Sequence, residues 1–123
     1  MLKVDLRTPP GRPVEEMVLF AQQCEAAGFW GCGYNDSQMY YRDTYVVMAA
    51  VLAATRRLVV HPALTSPGLR HTSVLASLAK TLQEIGVDRF ELWLGRGQAA
   101  PQKVGLDPSR GLSRLSASAG ERT

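Results

Sequence analysis

Three short stretches of this 123-residue chain carry side chains able to do chemistry. Asn35, Asp36 and Ser37 close an aromatic, glycine-containing run, which sets the Asp36 carboxylate at a strand end. A carboxylate there can act as acid or base, and it can equally be a turn or helix-entry aspartate. The second stretch follows Leu58, Val59 and Val60: Pro62, Ser66, Pro67 and Gly68 forbid a continuous ladder, and Ala63, Leu64, Thr65 and Ser66 form an irregular strand end with two hydroxyls. The third is Gly95, Arg96, Gly97 and Gln98, where Arg96 can pair with a phosphate and the Gln98 amide can hydrogen-bond without readily passing on a proton. Gly95 to Ala100 also fits the G-x-G-x-x-A dinucleotide fingerprint. Pro101 breaks the helix that fingerprint requires, and no strand-ending acid follows it.

Other chemistries have less to stand on. His61 and His71 have no nearby cysteines or paired carboxylates, so no metal site is expected, and Cys24 and Cys32 read as buried free thiols. The formal charge of +3 comes from scattered arginines without interleaved aromatics, which argues against nucleic acid as a partner. Apolar residues make up 46% and charged residues 20%, the balance of a globular domain. No apolar run reaches the ~20 residues of a membrane span, and the first residues lack a signal-peptide core, so a cytoplasmic location is expected.

The elements that must position these groups alternate along the chain. Leu2 to Leu6 is expected as a first strand, followed by a Pro/Gly loop and a helix starting at Pro13, with Val14, Met17, Val18, Ala21 and Cys24 on one face and Gly28 as its stop. Phe29 to Tyr34 reads as a second strand, weakened by Gly31 and Gly33 unless a backbone or ligand comes close there. Asp43 caps a helix that is apolar nearly all round, with Arg56 and Arg57 at its negative end. The third strand reads as buried on both faces, and Thr72 or Ser73 caps a helix carrying Val74, Leu75, Leu78, Leu82 and Ile85 inward to a stop at Gly86. Arg89 to Leu94 is the fourth strand. From Asp107 the apolar face disappears, so residues 1–106 are expected as the folded unit and 107–123 as a frayed or disordered tail.

Four βα modules suit a small open sheet or half of an eight-unit barrel. Along Gly28 to Ala100 the chain resembles the luciferase-like flavin- and deazaflavin-dependent oxidoreductases, which include bacterial luciferase and coenzyme F420-dependent reductases. The matching pieces are EAAGFWGCGYNDS, RDTYVVMAAVLAAT, HPALTSPGLRHTSVLASLAKTLQEI and DRFELWLGRGQAA, in that order. The resemblance implies an α/β fold, a partial (β/α)8 TIM barrel made of about the first four βα units. A whole barrel takes about 250 residues, so the fourth strand would be an open edge. A homo-oligomer or a completing subunit is therefore expected, and the odd tail reads as the mark of a truncated or frame-shifted gene.

The resemblance also implies an isoalloxazine or deazaflavin ring across the strand ends, with coenzyme F420 favoured and FMN the alternative. Ala63, Leu64, Thr65 and Ser66 map to the bulge that backs the ring, often through a non-prolyl cis peptide, and Thr65 and Ser66 would meet its pyrimidine edge. Asp36 falls where the family has an acidic residue near flavin or substrate. Gln98 stands where some relatives carry a proton-donating carboxylate, and Arg96 and Gly97 would complete the cofactor contacts. Arg70 and His71 match a recurrent structural pair. Ser37 replaces the histidine of the family's sugar-phosphate dehydrogenases, which disfavours alcohol oxidation and leaves reduction or monooxygenation of a small organic substrate. The competing expectation is an inactive half-barrel serving as a scaffold.

Overall fold

The computed structural model describes residues 2–96; the expectations for Gly97, Gln98 and the 107–123 tail fall outside them. Strands Asp5–Thr8 (β1), Gly31–Tyr34 (β2) and Val59–Pro62 (β3) alternate with helices Val14–Ala26 (α1), Thr44–Ala54 (α2) and Thr72–Gly86 (α3). The strands form one parallel sheet in the order β1-β2-β3. The fourth expected strand is reduced to two parallel bridges, Val60 with Phe90 and Thr65 with Leu94.

Strand alternation divides the residues between two environments. Leu6, Cys32 and Val60 share one row and Thr8, Tyr34 and Pro62 another, on the side covered by the helices. The opposite rows are Asp5, Gly31 and Val59, then Arg7, Gly33 and His61. Met17, Ala21 and Cys24 of α1, Val47, Met48, Val51 and Leu52 of α2, and Leu75 and Leu82 of α3 fill the helix-side core with Tyr34 and Phe90. Burial raises the Cys32 thiol to about 12, with the Cys24 thiol adding to the effect, so both cysteines behave as core residues.

Several local expectations are corrected. β1 runs from Asp5 to Thr8 rather than from Leu2 to Leu6, which brings Arg7 into the sheet and takes Thr8 out of the expected loop. β2 begins at Gly31: Phe29 N–H still donates to the Cys24 carbonyl of α1, while Trp30 already bonds through its backbone to Val4 and Val59 just ahead of the strand. Asp43 caps α2 as expected, accepting from Tyr45 and Val46 N–H at 3.0 Å each. The cap of α3 is His71, whose Nδ1 accepts from Ser73 N–H. Val74 and Ile85 on α3, and Val14 on α1, stay exposed. Gly86 is still helical; the left-handed turn falls on Val87 and Asp88, while Gly86 is needed for space because a Cβ there would lie 2.7 Å from Leu52 Cδ2.

Arg56 and Arg57 lie past the end of α2 and serve chiefly through their backbone. The Glu25 carboxylate, near the end of α1, accepts from the N–H groups of Arg56, Arg57 and Leu58, and the Arg57 guanidinium donates to the Glu25 carbonyl. Partial burial opposes ionisation, but these donors and the Arg57 charge outweigh it and hold Glu25 below the usual carboxylate range. One side chain thus fixes where β3 starts. Glu25→Gln is expected to cost about 1–2 kcal/mol at neutral pH, since hydrogen bonds to a partly solvated charge are lost. Because the folded value is depressed, that advantage is full above the unfolded pKa of ~4.3 and vanishes as pH falls through the lower folded value. Urea midpoints of both proteins between neutral pH and pH 3 check this; an undiminished difference at low pH would contradict it.

Candidate functional site

The expected chemistry clusters at the carboxyl ends of the strands, and the segment after β3 organises it. Pro62 ends the ladder, and Ala63 N–H donates to the Tyr34 carbonyl at 2.7 Å, so the chain stays tied to β2 as it bulges. The Ala63–Leu64 peptide is cis, as the resemblance implied. Thr65 then bonds through its backbone to the other side: its N–H donates to the Trp93 carbonyl at 3.1 Å, and its carbonyl accepts from Gly95 N–H at 3.0 Å.

Asp36 is drawn into this bulge. Its carboxylate accepts from Thr65 Oγ1 at 2.5 Å, from Arg70 Nη1 at 2.6 Å and Nη2 at 3.0 Å, and from Gln38 Nε2 at 3.2 Å. The side chain is only 1% exposed, and the two-pronged Arg70 contact is the geometry that makes a buried carboxylate tolerable. Burial disfavours the Arg70 cation, yet Asp36 more than restores it, and the guanidinium also lies 4.5 Å from the centre of the Tyr45 ring. Ser66 Oγ donates to the Arg96 carbonyl at 2.8 Å, which pins the exit of the fourth segment to the same knot.

Asp36, Ala63 to Ser66 and Arg96 therefore meet at one end of the sheet. Their orientation is specific. Thr65 and Ser66 are buried with their hydroxyls turned into the knot, whereas Leu64 is 50% exposed and rests against Gly95, where a Cβ would meet Leu64 Cδ1 at 2.5 Å. The bulge offers its open side an apolar surface and backbone.

A further group lies on the inner side of the sheet, opposite the helices. His61 Nε2 sits 2.5 Å from Asp5 Oδ2 and Nδ1 sits 3.0 Å from the Pro62 carbonyl, while the ring stacks on Trp93 at 3.7 Å and 16°. Gly33 makes room for it, since a Cβ there would lie 2.6 Å from His61 Cε1 and 3.0 Å from Ala63 Cβ. Asp5, Arg7, Gly33, His61, Ala63 and Trp93 line a hollow of about 240 Å³ directly beside the bulge. Sequence reasoning missed this cluster, though the alternation of His61 with the core residue Val60 signals a side chain on the other face. A larger groove of about 450 Å³ runs between α2 and α3; Arg70 and Asp43 reach its lining, and its other walls are mainly Tyr45, Val46, Ala49, Val74, Leu78 and Ile85. Among the described residues no group of His, Cys, Asp and Glu side chains could hold a metal ion, and no helix is long and apolar enough to cross a membrane.

The family model for luciferase-like monooxygenases matches residues 2–116. The chain belongs to the luciferase-like monooxygenase family. Its fold is similar to that of a coenzyme F420-dependent tetrahydromethanopterin reductase from Methanopyrus kandleri, with TM-score 0.82 and 23% identity over 87% of this chain and 31% of the reductase. A monooxygenase from Streptomyces bottropensis gives TM-score 0.81 and 18% identity over 97% of this chain and 41% of that one. The oxygenating constituent of a 3,6-diketocamphane monooxygenase from Pseudomonas putida, a type II Baeyer–Villiger enzyme in complex with FMN, gives 0.78 and 19% over 96% and 37%. The three strand-helix units of this luciferase-like chain thus correspond to part of a TIM barrel, and the chain spans 31% to 41% of those proteins' lengths.

The Asp36–Arg70 pair gives a direct test of the knot. Arg70→Met strands a buried carboxylate and is expected to cost about 3–5 kcal/mol, whereas Asp36→Asn combined with Arg70→Met should recover more than half of that loss. Chemical denaturation of the two single variants and the double variant measures the coupling; additive losses would show that the pair does not act as a unit.

Proposed function

We propose that this chain is the cofactor-seating part of a luciferase-like oxidoreductase that uses coenzyme F420, or alternatively FMN, on a small organic substrate. When bound, the reduced cofactor would supply a hydride or, as reduced FMN, activate dioxygen. The residues present fit a flat ring: the bulge keeps Thr65 and Ser66 buried and leaves its backbone and the half-exposed Leu64 side chain as an apolar support. The observation that carries the reading is the knot of Asp36, Thr65 and Arg70, which fixes the Ala63 to Ser66 backbone with its polar side chains turned away from the open side.

In this reading Ala63 and Leu64 back the ring, and Thr65 and Ser66 hold the bulge from within. Asp36 positions that bulge through Thr65 while its carboxylate is occupied by Arg70. By the resemblance, Arg96 and Gly97 would complete the cofactor contacts. Gln98 would donate or accept a hydrogen bond there rather than move a proton.

A second reading has its own observation. Val46 is 65%, Val74 49% and Ile85 37% exposed along the α2–α3 groove, more apolar surface than a lone domain usually leaves open. That favours a half-barrel acting as a scaffold completed by a second copy or another subunit. Titrating the chain with FMN and with coenzyme F420, following cofactor fluorescence alongside solution mass, separates the two. Saturable binding of one cofactor, weakened at least tenfold in Thr65→Val, is expected; a chain of any mass that binds neither would exclude the cofactor-seating role.

A further inference from the structure

The hollow beside the bulge has a hydrogen-bonding inventory that can be closed almost completely. Asp5 Oδ2 is taken by His61, and Asp5 Oδ1 is left without a hydrogen-bond partner but is buried, out of reach of a ligand in the hollow. Both ring nitrogens of His61 are engaged, one with Asp5 and one with the Pro62 carbonyl. Gly33 and Ala63 bring no polar side chain. What is left is Arg7, whose Nε donates to Asn35 Oδ1 at 3.2 Å and whose terminal nitrogens have no hydrogen-bond partner among the described residues. That single bond holds the guanidinium from one side and leaves its fork available.

The apolar inventory is equally one-sided. One face of Trp93 lies on His61, and the indole remains 39% exposed. Gly33 cannot be enlarged without striking His61, so this wall stays low. A complementary ligand is therefore flat enough to lie along Trp93 and Ala63 and carries an anionic oxygen pair for the Arg7 fork. The ring cannot be cationic without placing its charge against Arg7.

The geometry points to a subsite for a planar carboxylate in this hollow, with Arg7 gripping the carboxylate and Trp93 stacking on the ring. The inference deepens the oxidoreductase reading by naming the substrate class, an aromatic or conjugated carboxylic acid, and it rests on that reading for the statement that the ligand is a substrate. Asp5 and His61 are positioning residues here: their pairing keeps the Trp93 ring at its angle and prevents the Asp5 carboxylate from pairing with Arg7 instead of the ligand. A flat ring with oxygens at its rim is also a feature of a flavin or deazaflavin, so the same chemistry could come from the cofactor; the inference commits to the substrate.

The test uses the full chain and three probes: benzoate, its neutral isostere benzamide, and FMN or coenzyme F420. The Trp93 indole N–H and the Gly33 and Ala63 amides are followed by NMR during titration, with the Trp30 indole as an internal control. Benzoate is expected to shift the Trp93, Gly33 and Ala63 signals but not Trp30, and benzamide to bind at least fivefold more weakly. Arg7→Gln should abolish that preference with an unchanged amide spectrum elsewhere, and Trp93→Leu should weaken both probes alike, read at Gly33 and Ala63. Equal affinity for the two probes, an unaffected Arg7→Gln variant, or no shift up to tens of millimolar benzoate would overturn the subsite. Benzoate that still binds when cofactor is present supports a separate substrate position; strict competition would assign the hollow to the cofactor and overturn the inference. Because benzoate binding is read without cofactor, failure of the cofactor titration and failure of this subsite are distinguishable.

Discussion

Removing the Asp36 carboxylate from water is the constraint on which the working end of the sheet depends. A buried, unpaired carboxylate costs several kcal/mol, so the fold is acceptable only when Arg70, Thr65 and Gln38 all reach it. Those partners come from the bulge after β3, the approach to α3 and the loop after β2. Satisfying one charge therefore selects one conformation for three connections that have little regular hydrogen bonding of their own. Loops held in this way can carry a site, because the entropy of fixing them is offset by a charge that has no better alternative.

The two sides of the sheet are built on different principles. On the helix side, interlocking apolar side chains leave Cys32, Tyr34, Val60 and Phe90 almost without exposure. On the other, Gly31 and Gly33 lower the surface and a polar pair, Asp5 with His61, rises beside them under an indole. This asymmetry explains the two glycines in β2, which weaken a strand as secondary structure. A Cβ at Gly31 would lie 2.7 Å from the Val59 carbonyl oxygen, and one at Gly33 would displace His61.

Much of this was legible in the sequence where the signal is local. The Asp43 cap, the order of strand and helix, and the irregular strand end from Pro62 to Gly68 each follow from neighbouring residues whose shapes leave few options. The resemblance supplied the barrel and the bulge. What the sequence hid depends on register and distance in the chain. The pairing of Asp5 with His61 joins residues far apart in sequence, and it is set by the register of the three strands; a strand ending at Leu6 would have left Arg7 outside the sheet. Asp36 could be named but its partner could not, since the choice of Arg70 over Arg42 or Arg96 is made by the fold of the bulge. The expected dipole role of Arg56 and Arg57 overlooked Glu25, whose carboxylate collects backbone N–H groups that no side-chain pattern reveals.

The strand order β1-β2-β3 has a consequence for how such a polypeptide is made. Each strand pairs only with the one before and the one after it, so every unit finds its neighbour among residues that have just left the ribosome. Glu25 and Asp36 act at successive joints of that series, one gripping the entry to β3 and the other its exit. Assembly can then proceed in the direction of synthesis, each new turn locking the previous one, with the growing edge moving along while the outer edge of β1 stays open.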